Sequence, residues 1–264
     1  MPVKKEAWPE GTPAWVDLMA PDFAAAKAFY TGVFGWEFSE SGEEFGYYAV
    51  ASVDGEPVAG IGPVQGPDGP PPAWTTYVAV EDAEAAAARV AAAGGTVFAP
   101  PMKIGDFGTM AFAVDPTGCL FGLWQSGQHT GVNRYNEQGS LAWNEAMTGD
   151  YLAGKEFYAT VFGYTYTEIG DERFSYSTVE LDGRTVGGIG TAAEVGEGVP
   201  PHWRTYFAVD DLDGTIATVV ELGGAVVVAP FDTPFGRMAA VSGVAGEVFL
   251  LNEVTPQAGA ATPG

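Results

Sequence analysis

The chain has 264 residues, 47% of them hydrophobic, and carries 34 acidic against 11 basic side chains for a formal net charge of −23. That charge disfavours nucleic acid, whose phosphates are held by clustered Lys and Arg, and no apolar run is long enough to span a bilayer. Cys119 is the single cysteine, so there is neither a disulfide framework nor a cysteine-based zinc site. The opening MPVKKEAWPEG has no apolar segment behind its lysines, so the expectation is a cytoplasmic protein without a secretory signal.

Residues 1–10 read as an N-terminal arm. AWVDLMA then alternates as a strand does, and Asp22 opens FAAAKAFYTGVFG, where Phe23, Ala26, Phe29 and Tyr30 share a helical face and Gly35 ends the run. Two strands follow, FGYYAVASV and EPVAGIGPV, joined at an Asp54-Gly55 turn. The loop PVQGPDGPPP leads to a second cycle: strand WTTYVAV, helix EDAEAAAARVAAAGG, and strands near TVFAP, GTMAFAVD and LFGLWQ. Residues 126–138 are polar and glycine-bearing, as domain linkers are. Beyond them come strand SLAWNEAM, helix YLAGKEFYATVFG, further strands, strand HWRTYFAV, helix DLDGTIATVVELGG and closing strands. Residues 254–264, small and polar, read as a disordered tail.

The second half is a diverged copy of the first. AKAFYTGVFGW at 26–36 recurs as GKEFYATVFGY at 154–164, VAGIG at 58–62 as VGGIG at 186–190, FGTMAFAV at 107–114 as FGRMAAVS at 235–242, and Trp15 as Trp143. The repeat is far longer than a solenoid unit. It divides the chain into two homologous modules, 11–125 and 139–253, each built from two β-α-β-β-β units.

AKAFYTGVFGW after a strand, the acidic opening of the second helix and FG…AVDPTG before the last strand resemble the vicinal oxygen chelate superfamily of glyoxalases, bleomycin-resistance proteins and extradiol dioxygenases. GTPAWVDL, DPTG…GLWQ and HWRTYFAVDD are similar to two-module glyoxalase-like proteins sometimes labelled hydroxylases. The resemblance spans nearly everything outside linker and tail. It implies an α+β fold of two tandem glyoxalase-like modules, each a curved sheet around a U-shaped cleft with helices on the convex side.

The resemblance also implies where metal ligands would stand. The first-strand position falls on Trp15 and Trp143, the next on Thr75 and Arg204, and the final-strand Glu position on Gly122 and Leu250. None is a usual ligand, so no metal and no other cofactor is expected. A two-residue slip keeps the same strand face. It brings in Asp17, Tyr77 and Trp124 in one module, and Glu145, Tyr206 and Asn252 in the other.

With Trp15 and Asp17 facing the cleft, Val16 and Leu18 face the helices, and Trp143 and Glu145 repeat the arrangement. On the facing strand His202, Arg204 and Tyr206 share a side, against Ala73, Thr75 and Tyr77. Candidate acid–base residues are thus Glu145, Asp17, His202 and Tyr206, with module two the richer set. Candidate ligand-binding residues are Trp15, Trp143, Tyr77, Arg204, Trp124, Thr75 and Asn252. Each has a bland alternative: the tryptophans also suit a module interface, and the acids a salt bridge to Arg204. His129 falls in the linker, which leaves His202 as the histidine inside a module. GIGPVQGPDGPPP lacks the lysine of a phosphate loop and reads, like GTAAEVGEGVPPHW, as a loop over a cleft mouth.

The leading expectation is a binding protein that takes a small organic molecule, a cation among the candidates, in an aromatic and acidic cleft without a metal, in antibiotic resistance or biosynthesis. A metal-independent lyase, isomerase or cyclase with a carboxylate base comes next, and a metal-dependent glyoxalase or oxygenase third. Either a monomer with an internal pseudo-dimer or a homodimer fits; nucleic acid and membrane do not.

Overall fold

A computed structural model of the chain describes residues 3–64, 66, 71–170, 174–196 and 198–254. The tail from 255, and residues 65, 67–70 and 197 of the two loops expected over the clefts, lie outside the described residues.

The architecture is α+β, with two eight-stranded mixed sheets of identical topology. The first runs β1 (Pro13–Ala20), α1 (Phe23–Phe34), β2 (Glu37–Glu40), β3 (Ala49–Val53), β4 (Glu56–Pro63), β5 (Trp74–Ala79), α2 (Ala83–Ala92), β6 (Thr96–Ile104), β7 (Gly108–Val114) and β8 (Leu120–Ser126). The second repeats it with β9 (Leu141–Thr148), α3 (Tyr151–Phe162), β10 (Thr165–Glu168), β11 (Tyr176–Leu181), β12 (Arg184–Thr191), β13 (His202–Val209), α4 (Leu212–Glu221), β14 (Ala225–Thr233), β15 (Gly236–Ser242) and β16 (Val248–Glu253). Strand order is β2-β3-β4-β1-β5-β8-β7-β6, and its equivalent β10-β11-β12-β9-β13-β16-β15-β14. Two β-α-β-β-β units therefore join through the central antiparallel pairs β1–β5 and β9–β13. Among the described residues no helix is long and apolar enough to cross a membrane.

Local chemistry fixes the helices. Asp22, Asp82, Asp150 and Asp211 each accept a hydrogen bond from the backbone three residues on, satisfying an otherwise orphaned N–H. Gly35 and Gly163 end α1 and α3 in the left-handed conformation. The strand read from FGYYAVASV starts later than its sequence suggests. Residues Glu43–Phe45 form a single 3₁₀ turn, and Gly46 and Tyr47 both take positive φ before β3 begins at Ala49. The short edge strands β2 and β10, mostly exposed and polar, have no hydrophobic alternation to announce them.

The repeated FY…VFG(W/Y) phrase builds the joint between modules. Helix α1 packs on α4 and α2 on α3, so the helix-bearing faces of the two sheets share one interior. Phe34 and Trp36 meet Phe207 of the other module at ring-centroid distances of 5.2 and 5.4 Å, and Tyr30 meets Phe249 at 5.7 Å. The counterpart group surrounds Phe121 with Phe157, Tyr158 and Phe162. Polar ends of these rings cross the joint too. Trp36 Nε1 donates to the Gly139 carbonyl at 2.6 Å, Tyr164 donates to the Gly11 carbonyl, and Tyr30 donates to Glu247 at 2.7 Å. Buried aromatic rings whose donors are all satisfied make a strong and specific interface.

Because Phe207 has no exposed surface and packs on residues of both modules, Phe207→Ala is expected to cost about 3–5 kcal/mol. Urea denaturation should show one weakened cooperative transition; two separate transitions with one unaffected would contradict a shared core.

Candidate functional site

Strand alternation on β9 puts Ala146 in the core and turns Trp143 and Glu145 to the concave face. The antiparallel register with β13 sets Tyr206 opposite Trp143 and Arg204 opposite Glu145. From the other side, the parallel strand β12 sets Gly188 beside Glu145, and the Tyr176 ring from β11 lies across that glycine. A Cβ at Gly188 would stand 2.0 Å from the Tyr176 hydroxyl. The missing side chain is what lets the phenol reach the carboxylate. Tyr176 donates to Glu145 Oε2 at 2.7 Å, Tyr206 donates to Oε1 at 2.5 Å, and Arg204 Nη1 donates to Oε1 at 3.1 Å. Trp143 Nε1 donates to the Tyr176 oxygen at 3.2 Å and fixes the indole against the cluster.

Module one repeats this chemistry. Tyr77 and Tyr48 donate to Asp17 Oδ2 at 2.9 and 3.2 Å, and Trp15 Nε1 donates to the Tyr48 oxygen at 2.9 Å. Gly60 pairs with Asp17, and a Cβ there would sit 1.8 Å from the Tyr48 hydroxyl. The two modules differ in charge and access. Thr75 stands where module two has Arg204, and Asp17 is 6% exposed. Burial pushes the Asp17 carboxyl up to about 7, although both phenol hydrogen bonds pull it down. Glu145 is buried as deeply, at 4%, and the difference in access lies at the indoles: Trp15 is 3% exposed, whereas Trp143 is partly exposed.

Tyr48 and Tyr176 are absent from the residues expected from sequence, although they occupy matching positions in GYYAVA and FSYSTV, 128 residues apart. His129 is a correction: it lies in the linker by sequence but in the first cleft in space. Its ring meets Trp15 edge-on at 4.2 Å and Trp124 at 5.3 Å, while Trp124 Nε1 donates to its carbonyl at 2.9 Å. Hydrogen bonds from 127–129 to Asp106 and Phe107 carry the chain back over the sheet. Burial lowers the imidazole to about 4, and Nε2 is buried without a hydrogen-bond partner.

The remaining candidates lie further out. His202 shares a face with Arg204, but its Nδ1 bonds the Pro200 carbonyl at 2.8 Å, and burial lowers its pKa. Asn252 stands opposite Met238, and its buried Oδ1 has no partner. Cys119 donates to the Met147 carbonyl at 3.3 Å, and burial pushes its thiol up, as suits a packing residue. A recess of about 350 Å³ opens where the arm meets β9 and β12. It touches Trp143 but no carboxylate or phenol of the cluster.

The donors do not fit a divalent ion. The ring of Tyr77 fills the space that a side chain at position 122 would need, 2.1 Å from a Cβ built there. The carboxylate of module two faces a guanidinium, and the carboxyl of module one faces two phenols. Among the described residues no three His, Cys, Asp or Glu side chains are grouped to hold an ion.

Both halves match one family model, described as Glyoxalase/Bleomycin resistance protein/Dioxygenase superfamily, over residues 12–123 and 140–250. CFP32 of Mycobacterium tuberculosis, provisionally named a glyoxylase, is 41% identical over 261 residues, covering 96% of this chain and 99% of that protein. The anthracycline biosynthesis protein DauV of Streptomyces sp. (strain C5) is 35% identical over 268 residues, covering 96% and 97%. The Mn(II)-bound glyoxalase of Novosphingobium aromaticivorans superposes with a TM-score of 0.66 at 17% identity, over 93% of this chain and 83% of that one, a likeness of fold alone.

Gly188→Ala is expected to displace Tyr176 from Glu145 and cost about 1–3 kcal/mol in denaturant titrations, with no change contradicting the clearance geometry. Asp17 gives a second test. A carboxyl raised on folding binds protons more tightly in the folded state, so its contribution to stability is present at low pH and lost as pH rises from about 4 through about 7. The stability of the native chain minus that of Asp17→Asn is therefore expected to fall by about 4 kcal/mol over that window. A difference that rises with pH would show Asp17 to be held ionised.

Proposed function

The chain belongs to the Glyoxalase/Bleomycin resistance protein/Dioxygenase superfamily, and from that premise we propose that it binds a small organic molecule in the cleft of its second module without a divalent ion. The carrying observation is the cluster of Trp143, Tyr176, Glu145, Tyr206 and Arg204, where the carboxylate already has three donors and the open side is aromatic. Such a wall with a few placed polar groups is the usual make-up of an organic-ligand pocket. Phe174, 45% exposed and stacked on Tyr176 at 5.6 Å with an 8° interplanar angle, extends the wall outward. A planar ligand suits parallel plates of this kind. The likeness to DauV, named for anthracycline biosynthesis, supports a polycyclic aromatic compound as the ligand or substrate class.

One observation favours a second reading, metal-independent proton transfer. The carboxyl with a pKa near neutrality is Asp17, in module one, where it sits between two phenols with His129 above Trp15. A group titrating near 7 is suited to both accepting and releasing a proton.

The test is a thermal-shift screen of planar polycyclic phenols and quinones with and without EDTA. Ligand binding raises the melting temperature by mass action. The same rise is expected in both conditions, with affinity reduced about tenfold or more by Trp143→Ala. Stabilisation that appears only with added Mn(II), Fe(II) or Zn(II) would contradict the proposal.

A further inference from the structure

Resting on that reading of the second cleft, we propose that its ligand is a planar organic anion, such as an aromatic carboxylate or phenolate, held by Arg204. The arginine is the one side chain of the cluster with no counterpart of its own kind across the repeat: Trp143, Glu145, Tyr176 and Tyr206 answer Trp15, Asp17, Tyr48 and Tyr77, but Arg204 answers Thr75. Module one assembles the same carboxyl–phenol–indole network with threonine there. The network therefore needs no arginine to form, and the guanidinium of module two is available for something else.

Its geometry leaves it free to act. Among the described residues the only hydrogen bond of Arg204 runs from Nη1 to Glu145 Oε1, and its side chain is 21% exposed. A guanidinium carries five N–H donors in a rigid planar fork that matches two oxygens at once. Nη2 and Nε thus remain to bind a ligand carboxylate side-on, or a single phenolate oxygen, while Nη1 stays with Glu145. Tyr176 and Tyr206 share the charge of Glu145 through their own hydrogen bonds, which limits the repulsion a second anion meets. Trp143 and the stacked Tyr176–Phe174 pair lie alongside and give the ring system of the ligand its contact.

A cationic ligand fits worse in either cleft. In module two it would approach Glu145 past a guanidinium at 3.1 Å. In module one it would meet a carboxyl that burial keeps largely protonated below about 7. The net charge of −23 repels anions at long range, but charge beyond a Debye length of about 8 Å is screened at physiological ionic strength, so the contact group decides.

Isothermal titration at pH 7.5 with three ring-matched probes tests this: 2-naphthoate, neutral 2-naphthamide and cationic 2-naphthylmethylamine, against the native chain, Arg204→Thr and Arg204→Lys. We expect naphthoate to bind the native chain about tenfold or more tighter than naphthamide. Arg204→Thr should erase that preference without weakening naphthamide, and Arg204→Lys should restore part of it. If Arg204→Thr fails to fold, the preference in the native chain and its reduction by Arg204→Lys carry the test. Naphthamide or the amine binding as tightly as naphthoate, with heats abolished by Trp143→Ala, overturns the anion preference and leaves the cleft as a binding site. No heat from any of the three probes overturns both.

Discussion

A carboxyl group buried in a strand needs donors, and in both halves of this protein two phenols supply them, one reaching across a gap left by glycine and itself held by an indole N–H. The hydroxyls of Tyr48 and Tyr176 stand where Cβ atoms at positions 60 and 188 would be. Strand register then completes the shell, since Tyr77 and Tyr206 pair with Trp15 and Trp143 on the neighbouring strand. Burying an acid with such partners costs far less than burying it alone. The arrangement consumes oxygen atoms that would otherwise coordinate an ion. It also fixes the indoles against the phenols on the same strand face.

The shared core makes the two clefts parts of a single body. Phe34, Trp36, Trp74, Phe207 and Phe249 interleave across the module joint, and the indole of Trp36 and phenol of Tyr164 each cap a glycine carbonyl just ahead of the other module's first strand. On that common frame the concave faces have diverged through few residues. Thr75 against Arg204 changes the charge beside the carboxyl, and His129, delivered by the linker, packs edge-on against Trp15. Duplication thus leaves one carboxyl that burial raises to about 7 and one that is paired with an arginine.

Much of this was legible in the residues themselves. The repeated FYTGVFGW and FYATVFGY phrases, the aspartates before each helix and the alternation of AWVDLM give the duplicated fold, its four helices and the shared strand face of Trp15 and Asp17. Arg204, Tyr77 and Tyr206 could be placed beside the acids because period-two alternation holds through the central strands. Tyr48 and Tyr176 were not visible in this way. They act from the third strand of their unit over a glycine, a contact set by sheet order rather than by spacing in sequence. His129 was hidden for a similar reason, since a polar linker gives no periodic signal and its path back over β8 is fixed by backbone hydrogen bonds to Asp106 and Phe107.

Trp15, Trp143 and Arg204 stand where the resemblance implies metal ligands, and each is joined to a carboxyl–phenol network instead. Titration of the chelator-treated chain with Mn(II), followed by the loss of the free-ion electron paramagnetic resonance signal, tests this most directly. Only weak, non-stoichiometric binding to the acidic surface, abolished by moderate salt, is predicted. One tightly held ion per cleft, lost on Asp17→Asn or Glu145→Gln, would contradict it.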